Sequence, residues 1–338
     1  MKQMRQETLR RIISLVLVVV LFVVFALSTD TFLTWDNMTS MLRECGVVGI
    51  LAIGITACII TGGNNLSAGL MMGMVCMVFA HLYHYTSMSL IMIILICLIA
   101  ALIAGAFNGF TVAVLQIPDF VATLSTGMVF QGITYILAIR NQYGSITSEL
   151  IQNPTMSMLG GRLPNGIYYV TIAWVVVSLI AQLFLKKTKM GTYIYAMGSN
   201  RKSAEYSGIS YIKVKMVAFL ISALCSFIGA LFFLGRYGTN DVDSGSALSL
   251  QAISASVIGG AAFSGGRGDM IGTLIGVLFM QVLRNGVLKF NMTTAQQSII
   301  SGIIIVLMLV FDAYYNEFMQ KRTTRAAALA REKENAGK

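Results

Sequence analysis

Ten apolar runs separated by polar breaks stand out along the chain, at 12–28, 46–61, 65–82, 88–114, 119–139, 167–185, 213–235, 248–262, 270–289 and 294–314. A helix that crosses a hydrocarbon core of about 30 Å needs about 20 predominantly apolar residues. The pattern therefore predicts an all-α, polytopic membrane protein of about ten transmembrane segments. The second, third and eighth runs are short, and short or glycine-interrupted segments often line the substrate route of a transporter. Residues 1–314 read as one transmembrane domain. The remaining "KRTTRAAALAREKENAGK" (321–338) closes a charged, alanine-rich tail, 315–338, which reads as a frayed cytoplasmic helix without chemistry. The basic start and the apolar stretch Ile12–Leu27 could mark a secretory signal, but no A-x-A site follows, so an uncleaved first helix is predicted.

One break sits between two runs that both suit lipid. "TGGNNLSAG" (61–69) separates "VVGILAIGITACII" from "LMMGMVCMVFA". Irregular backbone and unpaired polar groups are tolerated at membrane depth only where protein or a water-filled cavity receives them. The stretch 249–277, "SLQAISASVIGGAAFSGGRGDMIGTLIGV", repeats the pattern of 49–74: a short helix, a glycine-rich break and a second short helix. Such an echo suggests a duplicated unit.

Composition agrees with the pattern. Hydrophobic residues make up 56% of the chain and charged residues only 11%, against about 25% charged in soluble domains. The net charge of +10 does not imply nucleic acid, because the basic residues cluster between and after the apolar runs. Suppose residues 1–11, 115–118, 186–215, 263–269 and the tail face the cytoplasm. That side then carries 18 Lys/Arg, against six (Arg43, Arg140, Arg162, Arg236, Arg284 and Lys289) on the other. The positive-inside rule then puts both termini in the cytoplasm. Three outer loops remain: 28–45, expected along the membrane surface with Phe32 and Trp35 at the interface, 140–166, and 236–249.

Little in the chain suggests catalysis. It has no G-x-x-x-x-G-K-[ST], G-x-S-x-G or H-E-x-x-H sequence. His81 and His84 share a helix face but lack further ligands, so no metal site is expected. The cysteines at 45, 58, 76, 97 and 225 have no metal or redox spacing. Four read as small buried residues; Cys45, near a run's end, could be accessible. Charges inside the runs are scarce, which argues against a proton-coupled carrier. The interior polar residues are neutral: Asn64, Asn65, Ser67, Asn108, Thr123, Ser125, Thr126 and Gln131. They could hydrogen-bond a polyhydroxy solute along a pathway, or they could join helix to helix.

The 186–215 loop reads "KKTKMGTYIYAMGSNRKSAEYSGISYIKVK". Ser199 or Asn200 can cap a helix whose C′ residue is Gly208, which predicts about two turns of amphipathic helix. A short helix tethered to two spans suits docking into a groove of another protein; an interfacial helix on anionic lipid is the alternative. Gly191 and Gly198 favour a shaped element over a simple basic patch.

This loop and several other stretches resemble the permease subunits of bacterial ABC importers for monosaccharides, the ribose/galactoside/xylose class. "ITGGNNLSAG" is similar to that family's "ITGGIDLSVG". "FNGFTVAVLQIPDFVATLSTGMVFQGITYIL" (107–137) is similar to "NG…V…IPPFIATLGT…RG". "AISASVIGGAAFSGGRGDMIGTLIGVLFMQVLRNG" (252–286) is similar to "AIAAVVIGGTSLMGGRG", and 191–209 and 296–312 to the coupling loop and last helix. The resemblance implies a non-enzymatic subunit of the bacterial inner membrane that works with four kinds of partner. These are a second copy or paralogue, two cytoplasmic ABC ATPase domains that bind the ATP and Mg, a periplasmic sugar-binding protein, and membrane lipid. No cofactor is expected in this chain. The coupling role carries over to Gly191, Ala196, Gly198, Asn200, Arg201, Ala204, Ser207 and Gly208. The family commonly has Asp where this chain has Asn65. A stand-alone carrier or channel for a small polar solute, or an ABC permease for an autoinducer or nucleoside, are the competing readings.

Overall fold

The computed structural model describes residues 2–140, 146, 151, 153–239, 241–290, 296, 299, 300, 302, 303, 306 and 310, with side chains from Leu15 onward. Two units divide the chain, Met1–Lys289 and Phe290–Lys338. The predicted tenth segment falls in the second unit and lies largely outside the described residues.

The first unit is all-helical. Its elements are α1 (Lys2–Ser28), α2 (Trp35–Ile60), α3 (Ala68–Tyr85), α4 (Leu90–Ala113), α5 (Asp119–Leu137), α6 (Pro154–Leu159), α7 (Tyr169–Lys187), α8 (Lys189–Ser199), α9 (Arg201–Tyr206), α10 (Tyr211–Tyr237), α11 (Leu248–Ile258) and α12 (Met270–Lys289). Seven of them (α2, α3, α4, α5, α7, α10 and α12) are long and apolar enough to cross a membrane, while Leu15–Ser28 of α1 and α11 are shorter. Among the described residues no strand forms; two isolated bridges, Arg140 with Ile146 and Arg162 with Tyr168, pin the loop between α5 and α7.

The core is built around α2, which packs against α7, α10, α11 and α12; α10 also packs on α3 and α4, and α3 on α5. Helices in lipid associate through close packing of small residues. Gly54 shows how close: a Cβ there would stand 2.7 Å from the Ser222 Cα of α10. In contrast, α4 and α5 leave broad apolar faces uncovered, with Ile91, Ile103, Met128 and Ile136 among their exposed residues.

Three expectations need correction. Residues 35–45 do not lie in a surface loop; they form the first turns of α2, which makes that helix 26 residues long rather than short. The polar residues there are satisfied by distant partners: Asn37 pairs reciprocally with Asn285 of α12, and Glu44 with Arg236 of α10. Phe32 is fully buried against Phe22 and Phe25, and only Trp35 is exposed, its Nε1 donating to the Asn165 carbonyl. Cys45 is also fully buried.

Candidate functional site

The break after α2 is held on all sides by side chains. Gly62 takes φ +75° to leave the helix. Asn65 is fully buried. Its Nδ2 donates to Ser222 Oγ of α10 at 2.9 Å, and its Oδ1 accepts from Ser67 N–H at 3.1 Å and Ser67 Oγ at 2.7 Å. Asn108 of α4 donates to Ser67 Oγ at 2.7 Å and accepts from Thr126 of α5 at 2.5 Å. Thr123 Oγ1 accepts from the Leu66 N–H at 3.1 Å and donates to the Asp119 carbonyl. Asn64 caps the Asn65 N–H. Five of the residues singled out for the pathway (Asn65, Ser67, Asn108, Thr123 and Thr126) thus form one buried network across four elements. An amide both donates and accepts, as this position of the network requires; a carboxylate only accepts.

The other pathway candidates lie elsewhere. Ser125 is exposed on α5. Gln131, nearer the other end of α5, donates to the Val242 carbonyl at 2.8 Å and to Asp243 at 3.1 Å. An apolar cleft of about 200 Å³ runs between α7 and α10, floored by Ile53 and Ala57 of α2, and its lining offers nothing to a polar solute.

The second break, between α11 and α12, is held mainly by backbone. Four glycines take positive φ there: Gly260 (+98°), Gly265 (+82°), Gly266 (+70°) and Gly268 (+131°). The Ala262 N–H donates to the Arg267 carbonyl, and Asp269 Oδ1 accepts from the Gly272 N–H at 2.8 Å at the start of α12. Gln182 of α7 accepts from the Met270 N–H.

The two breaks touch. The Gly266 N–H donates to the Ile60 carbonyl at 2.8 Å, directly joining the second break to the end of α2. The end of α8 closes over both. A Cβ on Gly198 would stand 2.9 Å from the Ile60 carbonyl carbon, and one on Gly265 would stand 2.6 Å from the Gly198 oxygen and 2.8 Å from the Gly62 Cα. Tyr195 of α8 donates to the Gly268 carbonyl at 2.7 Å.

Within the 186–215 loop, α9 starts and stops where its caps predict. Asn200 Oδ1 accepts from the Ser203 N–H at 3.0 Å, and Gly208 takes φ +81°. Ala204 is buried, and Ser207 Oγ bonds the Ser203 carbonyl. The loop's first half departs from expectation: Gly191, Ala196 and Gly198 belong to an 11-residue helix, α8, rather than flanking a single short one. Thr188 caps it, accepting from the Gly191 N–H. Arg201 pairs with Glu205, stacks on the Tyr211 ring at 3.6 Å and donates to Gln116 in the α4–α5 turn.

One pair was missed by sequence reasoning. Lys215 Nζ of α10 meets Asp119 Oδ2 of α5 at 2.7 Å, and the lysine side chain is 2% exposed. A lysine after a basic loop reads as a surface charge, and no local signal points to a carboxylate 96 residues away. No group of three or more metal-ligating side chains occurs among the described residues. His81 instead contacts the Leu137 carbonyl and the Tyr85 ring.

Seven helices long and apolar enough to cross a membrane, together with two glycine-broken junctions, define the class: an all-helical, membrane-type fold. Residues 37–309 match the family model described as "branched-chain amino acid transport system / permease component", and the chain belongs to that family. It is 31% identical to the ribose import permease protein of Bacillus subtilis (strain 168) over 293 residues, 87% of this chain and 89% of that protein. The ribose import permease protein of Escherichia coli (strain K12) is 28% identical over 302 residues, 88% of this chain and 92% of the relative. The autoinducer 2 import system permease protein of Escherichia coli (strain K12 / DH10B) is 28% identical over 305 residues, 90% of this chain and 86% of the relative. Among solved structures, an inward-facing metal-chelate type ABC transporter matches with a TM-score of 0.50 and 13% identity, covering 90% of this chain and 99% of that one. That likeness concerns the fold alone. The relatives are permease subunits, and the helices here are those of a membrane protein.

Proposed function

We propose that this chain is the transmembrane subunit of an ATP-driven importer for a monosaccharide or similar small polyhydroxy solute. It crosses the bacterial inner membrane about ten times with both termini cytoplasmic, and a second copy or paralogue completes the pathway. Two cytoplasmic ATPase domains bind ATP and Mg, and a periplasmic binding protein delivers the solute. The observation that carries this reading is the junction at Gly198. One turn of the 186–215 loop contacts both glycine breaks at once, so a push on that loop reaches both broken-helix pairs. The exposed positions Ser125 and Phe120 of α5, with Asn64, belong to the solute route, while the buried amides and hydroxyls hold its wall. Gly191, Ala196, Gly198, Asn200, Arg201, Ala204, Ser207 and Gly208 shape the ATPase-facing element.

The ribose import relatives favour a sugar as solute; the autoinducer relative keeps an autoinducer as the second reading. The test is a complex purified with its ATPase and binding protein and assayed for ligand-stimulated ATP hydrolysis across a panel of sugars and the autoinducer. Stimulation by one sugar is expected. Uptake that persists in a strain lacking every ATPase partner sinks the importer reading.

A further inference from the structure

A salt bridge lies directly beneath the first break. Gly63 has no room for a side chain: a Cβ there would stand 2.8 Å from the Asp119 carboxyl carbon and closer still to Lys215 Nζ. The Gly63 N–H returns to the Cys58 carbonyl at 3.1 Å, so the backbone turns back immediately over the pair. Asp119 begins α5 and Lys215 lies in the second turn of α10. The side chains are 18% and 2% exposed. The start of α5 holds the break a second time, where Thr123, one turn beyond Asp119, accepts the Leu66 N–H and donates to the Asp119 carbonyl.

The pair is also tied to the 186–215 loop. The centre of the Tyr211 ring lies 3.6 Å from Arg201 Cζ and 5.9 Å from Lys215 Nζ. Arg201 reaches on to Gln116, whose φ of +56° shapes the turn into α5. A continuous path therefore runs from α9 through Arg201, Tyr211 and Lys215 to Asp119 and the turn at Gly63.

We infer that Asp119 and Lys215 are a positioning pair: their ion pair sets the register of α5 against α10 beneath the first break, and so transmits movement of the 186–215 loop to it. The inference rests on the importer reading above. Burying an ion pair adds little net stability compared with well-packed apolar residues, and fixing a register or a switch is its best-attested use. Breaking the pair from one side leaves an unpaired buried charge, so the informative change removes both charges together.

The experiment compares three complexes in lipid nanodiscs, each with its ATPase and binding protein: wild type, Asp119→Leu/Lys215→Met, and the charge swap Asp119→Lys/Lys215→Asp. The apolar double variant is expected to assemble and melt like wild type and to keep basal ATP hydrolysis. Stimulation by solute-loaded binding protein should fall about tenfold, and the swap should recover part of it. Wild-type stimulation in the apolar double variant overturns the positioning role. Failure of both variants to assemble also overturns it, since the pair would then serve folding alone. A wild-type complex with no stimulation at all instead removes the importer reading beneath it.

Discussion

The two glycine breaks look alike in sequence and are built differently. The first, 61–67, is braced by side chains from α4, α5 and α10, through the Asn65–Ser67–Asn108–Thr126 network and the ion pair below it. The second, 259–269, holds itself largely by left-handed glycines and short backbone bonds. A turn braced by side chains keeps its shape as long as the surrounding helices do. A turn made of positive-φ glycines depends on its own residues, because few other residues adopt those angles without strain. The broken-helix pairs therefore differ in what disturbs them: the first answers to helix positions, the second to its own backbone.

The largest effect is expected where the second break touches the first. Gly265 has φ +82°, and a Cβ there meets the backbone of both Gly198 and Gly62. Gly265→Ala should cost about 3 kcal/mol, combining backbone strain with a clash that only backbone movement relieves. Gly260→Ala isolates the strain: φ is +98° but a Cβ meets open space, so about 1–2 kcal/mol is expected. Melting temperatures of the solubilised protein order the two. Equal losses would mean that contact with α8 and the first break adds nothing.

An intermediate effect is expected at the first break. Asn65→Leu leaves the buried Ser222 Oγ and both Ser67 groups without their amide partner. Loss of those bonds should cost about 2 kcal/mol, and uptake should fall with stability rather than independently of it. Uptake lost at unchanged melting temperature would instead make Asn65 a contact for the solute. Either result sharpens the contrast with the second break, where the outside side chains Gln182 and Tyr195 bond backbone groups.

That polar residues interrupt the apolar runs was legible from sequence; which of them pair with one another was not, and Ser125 and Gln131, singled out with the rest, lie outside the network. Asn65, Ser67, Asn108, Thr123 and Thr126 stand out because a polar group inside an apolar run must be satisfied by something. Their mutual pairing is a tertiary fact, set by four elements far apart in the chain. The same distinction runs through the fold. Local chemistry marked α9 at both ends, with Asn200 before it and Gly208 after it, and the 270–289 run matches α12. The start of α2 was hidden because Asn37 and Glu44 look like loop residues until Asn285 and Arg236 are brought to them. α8 was hidden for a similar reason. Its buried Ile194 and Met197 read as loop residues until the core is assembled, and Gly198 makes sense only beside the two breaks it touches.

The smallest effect on stability belongs to the outer end of the path between loop and break. Arg201 is about half exposed and pairs with Glu205 one turn away. Such an exposed pair contributes about 0.3–0.5 kcal/mol, and stacking on the Tyr211 ring adds about 0.5–1 kcal/mol. Arg201→Gln should therefore lower the melting temperature only slightly, even though the shorter side chain also gives up the bond to Gln116. The charge between α9 and Tyr211 is lost all the same. If this residue carries movement toward the ion pair or meets an ATPase groove, solute-stimulated ATP hydrolysis should drop by several-fold while the fold barely responds. Because the ion pair at the end of this path lies beneath the first break, the effect is expected to act through that break. A variant with wild-type stimulation would leave Gly198, rather than Arg201, as the contact through which the loop acts on both breaks.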